Sequence, residues 1–287
     1  MEALRRVVLV VLSLFGLFAM VADRTARADE IAPELETLEL RQKAEAEAKK
    51  LVSGLTPTDQ RRLIGVYVAF DTNPSDPSAM VACDDDGDYV VVISDALLRL
   101  ISLVARAQSQ DEVNASHAIE DYAALVARSQ IPGQRLLPPP PGFFSMQQSG
   151  TTHDLRLREA LSFVLARELA HAKAGDLVCP HPTATHEHGD DEWTAAEQRR
   201  ALETAARVYA ASPSGHPVER DTEATISVLE AGRTEDGALG LLRFFAQLEV
   251  ERSAHASRFA PTYLVQHPRA ALRATVVKSA AKEHRTP

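Results

Sequence analysis

Glu168 and His171 stand one helical turn apart in LSFVLARELAHAKAGD, residues 161–176, in the middle of an otherwise apolar run. A carboxylate can draw a proton from water, and an imidazole can hold a metal ion or relay a proton. Leaving either buried without a partner costs roughly several kcal/mol, so the fold must bring something to them. Their neighbour Arg167 cannot ligate a metal, because a guanidinium has no free lone pair and keeps its charge. What it can do is grip a carboxylate through paired hydrogen bonds. The plainer reading of the same letters is a core helix whose polar residues happen to spell R-E-L-A-H. Leu157, Leu161, Val164, Leu165 and Leu169 recur at helical spacing, as such a helix requires.

Other residues with chemical potential lie elsewhere. The chain has two cysteines, Cys83 and Cys179. In an oxidising compartment a pair tends to bridge, and a disulfide is expected here rather than two buried thiols. DDDGD, residues 84–88, reads as a solvated hairpin turn, because a calcium loop needs alternating ligands over a longer stretch ending in Glu. CPHPTATHEHGDD carries His181, His186 and His188, either a metal-gathering loop or a solvated polar one. The second is preferred, since no ligand sits on a rigid element at fixed spacing. His153 and His216 read as caps or surface residues, and Trp193 as a packing anchor.

The elements that must position these groups are mostly helical. Residues 30–53, rich in Glu, Ala, Lys and Leu before Gly54, predict an amphipathic arm, and a second helical stretch runs from Thr58 to about Tyr67. After the loop at 73–78, AMVAC reads as a strand, and Val90–Ile93 as another beyond the acidic turn. Two helices follow, then a Pro-rich break, IPGQRLLPPPPGFFSMQQSG, with an exposed Phe143–Phe144 pair; it is a lid or a spacer. From Asp154 the pattern is helical over about 154–174, 192–211, 217–232, 235–252 and 268–281. The sum is a predominantly helical α+β fold with one small sheet, in one domain.

The N-terminus has the three parts of an export signal. Arg5 and Arg6 precede the apolar run VVLVVLSLFGLFAMVA, and Ala26-x-Ala28 follows, so cleavage is expected after Ala28, the alternative being a retained anchor. This divides the chain into a signal peptide over 1–28, an N-terminal helical arm over 29–56 and a domain over 57–287. It places the protein outside the cytoplasm, periplasmic or extracellular. No second long apolar run occurs, so no membrane span is expected after cleavage. The whole chain of 287 residues carries a net charge of −9, which opposes binding to nucleic acid and to anionic lipid. Without the signal, 27 basic residues face 38 acidic ones, a net of −11.

Four stretches together resemble the HtpX-like and CAAX-prenyl-protease-type zinc metallopeptidases, peptidase family M forty-eight, and in particular their soluble exported members. RELAH resembles the H-E-x-x-H helix, VACDDDGDYVVVISDALL the strand-turn-strand before it, VERDTEATISVLEAG the helix with the third ligand, and LVQHPRAALR the closing H-P-x-x-x-x-R segment. The resemblance covers about residues 60–280 and implies a zincin-like (gluzincin) catalytic domain with a metal-site helix. In such a helix two histidines four residues apart hold zinc and the Glu between them is general base.

Carried over by position, Glu168 is the general base and His171 the second zinc ligand. Asp221 falls at the third ligand, with Glu219 as the nearby alternative. His267 is an oxyanion-stabilising residue, or an extra ligand. Thr225, Glu223 and Arg273 surround the ligands; Thr225 stands where the family has Asp. Arg167 occupies the lost first ligand position. It is expected to lie within salt-bridge reach of Asp221 or Glu223 and to supply the charge that zinc would have given.

Two functions follow from this. One is a pseudo-peptidase that binds envelope polypeptides, as client or partner, without cutting them. The other is an active zinc endopeptidase using His171, Asp221 and His267 as ligands and Glu168 as base, with the peptide added as a strand along an edge near Val90–Ile93. The substitution of Arg for a ligand favours the first.

Overall fold

A computed structural model of the chain describes residues 34–84, 86–144, 150–180, 200, 203 and 217–286. The chain divides into two units, Met1–Leu40 and Arg41–Pro287. Of the first only residues 34–40 are described, and they are helical; the stretch read as an export signal, with its expected cleavage after Ala28, lies outside the described residues. The second unit is α+β and mostly helical.

Residues 41–53 form α1, which lies within this larger unit. The reason is a set of charged ties. Arg41 donates to both carboxylate oxygens of Asp95 at 2.8 and 2.7 Å. Buried Glu47 accepts from Ser162 at 2.8 Å, from Arg158 at 3.2 Å and from Arg233 at 2.5 and 3.0 Å. Helix α2 spans only Pro57–Arg62, shorter than the expected stretch to Tyr67. Gly65 takes a positive φ of 76°, and the chain then enters a strand that the helical reading had hidden, β1, Tyr67–Asp71.

Strands β2, Ala79–Cys83, and β3, Tyr89–Ser94, complete a three-stranded sheet of order β1-β3-β2. β3 runs parallel to β1, with Tyr67 opposite Val90, and antiparallel to β2, with Val81 opposite Val91. Every residue of β3 is buried, as its run of valines and isoleucine demands once both sides are paired. Val90–Ile93 is therefore the middle of the sheet, not an edge along which a peptide could add.

Ser94 ends β3 and caps α3, Asp95–Asn114: its hydroxyl accepts the Leu97 N–H at 3.1 Å. Helix α4, Ala118–Ser129, leads into the Pro-rich segment, where the Gln130 side chain donates to the carbonyls of Ile131, Gln134 and Arg135 and accepts from Leu137. Phe143 and Phe144 are half-buried rather than exposed. Their rings meet edge-to-face at 5.1 Å, and both lie against Tyr122 of α4.

Helix α5, Gly150–Ala174, is buried on nearly all sides over its C-terminal two-thirds and packs against α3, the sheet, α6 (Pro217–Glu230) and α7 (Asp236–His255). His153 lies in its first turn, half-buried, with Nε2 3.2 Å from the Ser102 carbonyl of α3; it joins two helices rather than capping one. A short helix α8, Thr262–Gln266, and α9, Ala270–Arg285, close the chain. His181, His186, His188, Trp193 and His216 lie outside the described residues.

Candidate functional site

The end of α5, the first turns of α6 and the α8–α9 corner meet beneath β2, and each has a local device that fixes its functional side chain. Helix α5 stops at Gly175, whose φ of +77° sends the chain back on itself; the Gly175 and Asp176 N–H groups bond to the carbonyls of Ala172 and His171. That turn swings Asp176 onto the ring of His171. The α8 segment is held by Asp76, which accepts from the Thr262 N–H at 2.9 Å and its hydroxyl at 2.5 Å, while the Tyr263 N–H donates to the Pro77 carbonyl. His267 follows directly as the residue that ends α8. Cys83 at the end of β2 is bonded to Cys179, so the strand and the turn after α5 are covalently joined.

At the centre is Arg167, only 1% exposed. Its Nε donates to Asp221 Oδ1 at 2.9 Å. Its Nη1 lies 3.2 Å from His171 Nε2, 2.7 Å from His267 Nδ1 and 3.0 Å from His267 Nε2, with Glu168 Oε1 at 3.8 Å. Asp221 has a second cation: Arg273 donates to Oδ2 at 2.8 Å and to Oδ1 at 3.0 Å, and also to the His267 carbonyl at 3.0 Å. Glu168 Oε2 accepts the Val81 N–H of β2 at 3.2 Å, and its other oxygen faces His267 Nε2 at 3.4 Å. The ring of His267 meets Tyr263 edge-on at 4.7 Å.

Proton positions follow from the partners. His171 Nδ1 is 2.8 Å from Asp176 Oδ2, and a carboxylate offers only acceptors, so Nδ1 carries the proton and Nε2 presents its lone pair to Arg167. Asp176 is fixed in turn by Arg220, at 2.8 and 2.9 Å. Burial, then the charge of Arg167, lowers the His171 pKa to about 4, although Asp176 pulls the other way. Burial and the guanidinia of Arg167 and Arg273 hold His267 well below its ordinary value. For Asp221, burial alone would raise the pKa, but Arg273 and Arg167 outweigh it and keep the carboxyl ionised.

The structure thus brings Arg167, Glu168, His171, Asp221, His267 and Arg273 together. The Arg167–Asp221 ion pair expected from sequence is present. Glu223 is outside the cluster, bonded to Lys173 at 2.6 Å. Glu219 is exposed on α6. Thr225 is buried and donates to the carbonyl of Asp221 one turn before it, at 2.6 Å, so it supports the helix rather than a ligand ring. Sequence reasoning missed Asp176 and Arg220. The signals were there, a Gly-Asp pair closing the helix and an Arg beside Asp221, but each acquires its role only through the turn geometry.

The zinc that the resemblance implies does not fit this donor set. Both oxygens of Asp221 are engaged by guanidinium groups, and the lone pair of His171 Nε2 is directed at a cation already in place. Among the described residues, no three or more His, Cys, Asp or Glu side chains are grouped to hold a metal ion. A groove of about 550 Å³ lies at the C-terminal ends of α4 and α7, lined by Arg128, Gln130, His255 and Arg258 among others, and none of its lining residues belongs to the cluster. No described helix is long and apolar enough to cross a membrane. No family model, no curated protein and no solved structure matches the chain.

Proposed function

We propose that this chain is a peptidase-like protein of an oxidising compartment outside the cytoplasm, built on a zincin-like scaffold, that binds extended polypeptide without hydrolysing it. One observation carries the reading. The guanidinium of Arg167 takes up His171, His267 and Asp221, the groups that a water-activating metal would need. Glu168 is then a base with no polarised water to act on. Its carboxylate instead accepts the buried Val81 N–H, so it is used to hold β2 against α5. The disulfide supports the compartment, since such bridges persist where the surroundings are oxidising.

The test is an assay of purified protein against unfolded, fluorescently labelled casein, with zinc chloride and with a chelator. Saturable association is expected, without cleavage and unaltered by the chelator. Chelator-sensitive cleavage that disappears in Glu168→Ala would replace this reading with that of an active endopeptidase.

A further inference from the structure

We infer that Arg167 is the resident cation of a built cation site. The pocket formed by His171, His267, Asp221 and Glu168 is filled by a guanidinium from the chain itself, excludes divalent metal while that group is present, and takes up a free cation once it is removed.

The geometry supports this in two ways. First, Nη1 sits where the acceptors converge: two imidazole rings within 3.2 Å, stacked nearly parallel with centroids 6.0 Å apart, and a carboxylate oxygen of Glu168 at 3.8 Å. Second, the acceptors are aimed by residues other than Arg167. Asp176, itself gripped by Arg220, fixes the protonated nitrogen of His171 and so keeps the Nε2 lone pair pointing inward. Arg273 retains Asp221 through two hydrogen bonds and holds the backbone carbonyl of His267. Val81 fixes one oxygen of Glu168. Removing the Arg167 side chain therefore leaves a cavity shaped for a guanidinium whose lining is already in place.

Two occupants follow from the donor chemistry. A small planar guanidinium ion replaces what was lost, with the same hydrogen bonds. Zinc becomes the alternative when a further imidazole is supplied, because imidazole nitrogens with carboxylate oxygen suit it better than they suit magnesium or calcium. Arg167→His supplies that imidazole one turn before His171. None of this depends on polypeptide binding, so the two proposals fail separately.

The experiment compares purified wild-type protein, Arg167→Ala and Arg167→His. Each is incubated with zinc chloride, desalted and analysed for bound metal, and melting temperatures are recorded with zinc chloride or methylguanidinium chloride. Wild type is expected to retain only substoichiometric zinc and to be indifferent to millimolar methylguanidinium. Arg167→His should retain stoichiometric zinc that a chelator removes, with a melting temperature several degrees higher when loaded. Arg167→Ala should melt several degrees higher with methylguanidinium than with the same concentration of sodium chloride. Where the alanine variant does not fold alone, the refolding yield with and without methylguanidinium gives the same answer. Stoichiometric zinc on wild type would show that Arg167 does not occupy the cation position. An alanine variant unresponsive to methylguanidinium in both melting and refolding would show that no such pocket exists.

Discussion

At the scale of single residues the centre of the molecule is a contest over one imidazole. His171 is pressed by Arg167 on one side and drawn by Asp176 on the other, and burial decides the outcome: its pKa falls to about 4. The consequence for stability has a definite sign. In the unfolded chain the ring takes a proton near its ordinary value of about 6.5, whereas in the folded protein it resists until the pH is much lower. Stability from the neutral ring is fully present above the unfolded value and is lost as the pH falls toward about 4. A shift of this size corresponds to on the order of 3 kcal/mol across that window. His267, shifted in the same direction, adds to the slope. Urea unfolding at pH 7, 6, 5 and 4 should show a steadily falling free energy, and the ring resonances of His171 should stay those of a neutral imidazole at pH 5.5. Half-protonation of His171 near pH 6.5 in the folded protein would mean that Arg167 does not lie against it.

At the scale of elements, the position of α5 is set by how closely α7 crosses it. A Cβ added at Gly237 would lie 2.5 Å from the Arg156 carbonyl and 2.6 Å from the Ala160 nitrogen, both backbone atoms that cannot swing aside. The Gly237 N–H also donates to buried Glu159 at 3.1 Å. Gly237→Ala gains helix propensity but must push the two helices apart, and a net loss of about 1–3 kcal/mol is expected. An unchanged urea midpoint would show that the crossing is slack. The long helices, with their 3.6-residue periodicity and long apolar faces, were legible in the sequence. The arginine–aspartate pair was expected through the resemblance, which set Asp221 opposite the helix position that Arg167 takes, and a buried arginine needs a carboxylate there. Strand β1 was not, since five residues after a short helix carry too little periodicity to separate strand from helix. Nor was the central place of β3: a buried valine run looks the same whichever strands flank it, and strand order is a tertiary fact. Phe143 and Phe144 looked exposed because their cover, Tyr122, comes from α4.

At the scale of the whole molecule, the two cysteines make a covalent tie between distant parts of the chain. Cys83 and Cys179 are 96 residues apart in sequence, and the loop they close contains α3, α4 and α5. The bridge therefore joins the last residue of β2 to the turn that carries Asp176, and it couples the sheet to the arginine cluster as well as restricting the unfolded chain. On the chain-entropy model a loop of this length is worth about 4–5 kcal/mol, a large fraction of a typical domain's stability. The bridge lies mostly inside, with Cys179 buried, so Cys83→Ala/Cys179→Ala avoids the cost of burying two hydroxyls that serine would add. That double variant should lose about 4 kcal/mol in urea unfolding, and wild-type protein treated with a dithiol reductant should approach the same midpoint. The loss should also reach the site: with the turn at residues 175–180 released from β2, the hold of Asp176 on His171 weakens, and without that carboxylate to favour the protonated ring His171 should titrate at a lower pH than in the bridged protein. A variant as stable as wild type, with His171 unshifted, would show that the hydrogen bonds of Asp176 to His171 and Arg220 suffice to hold this corner without the covalent tie.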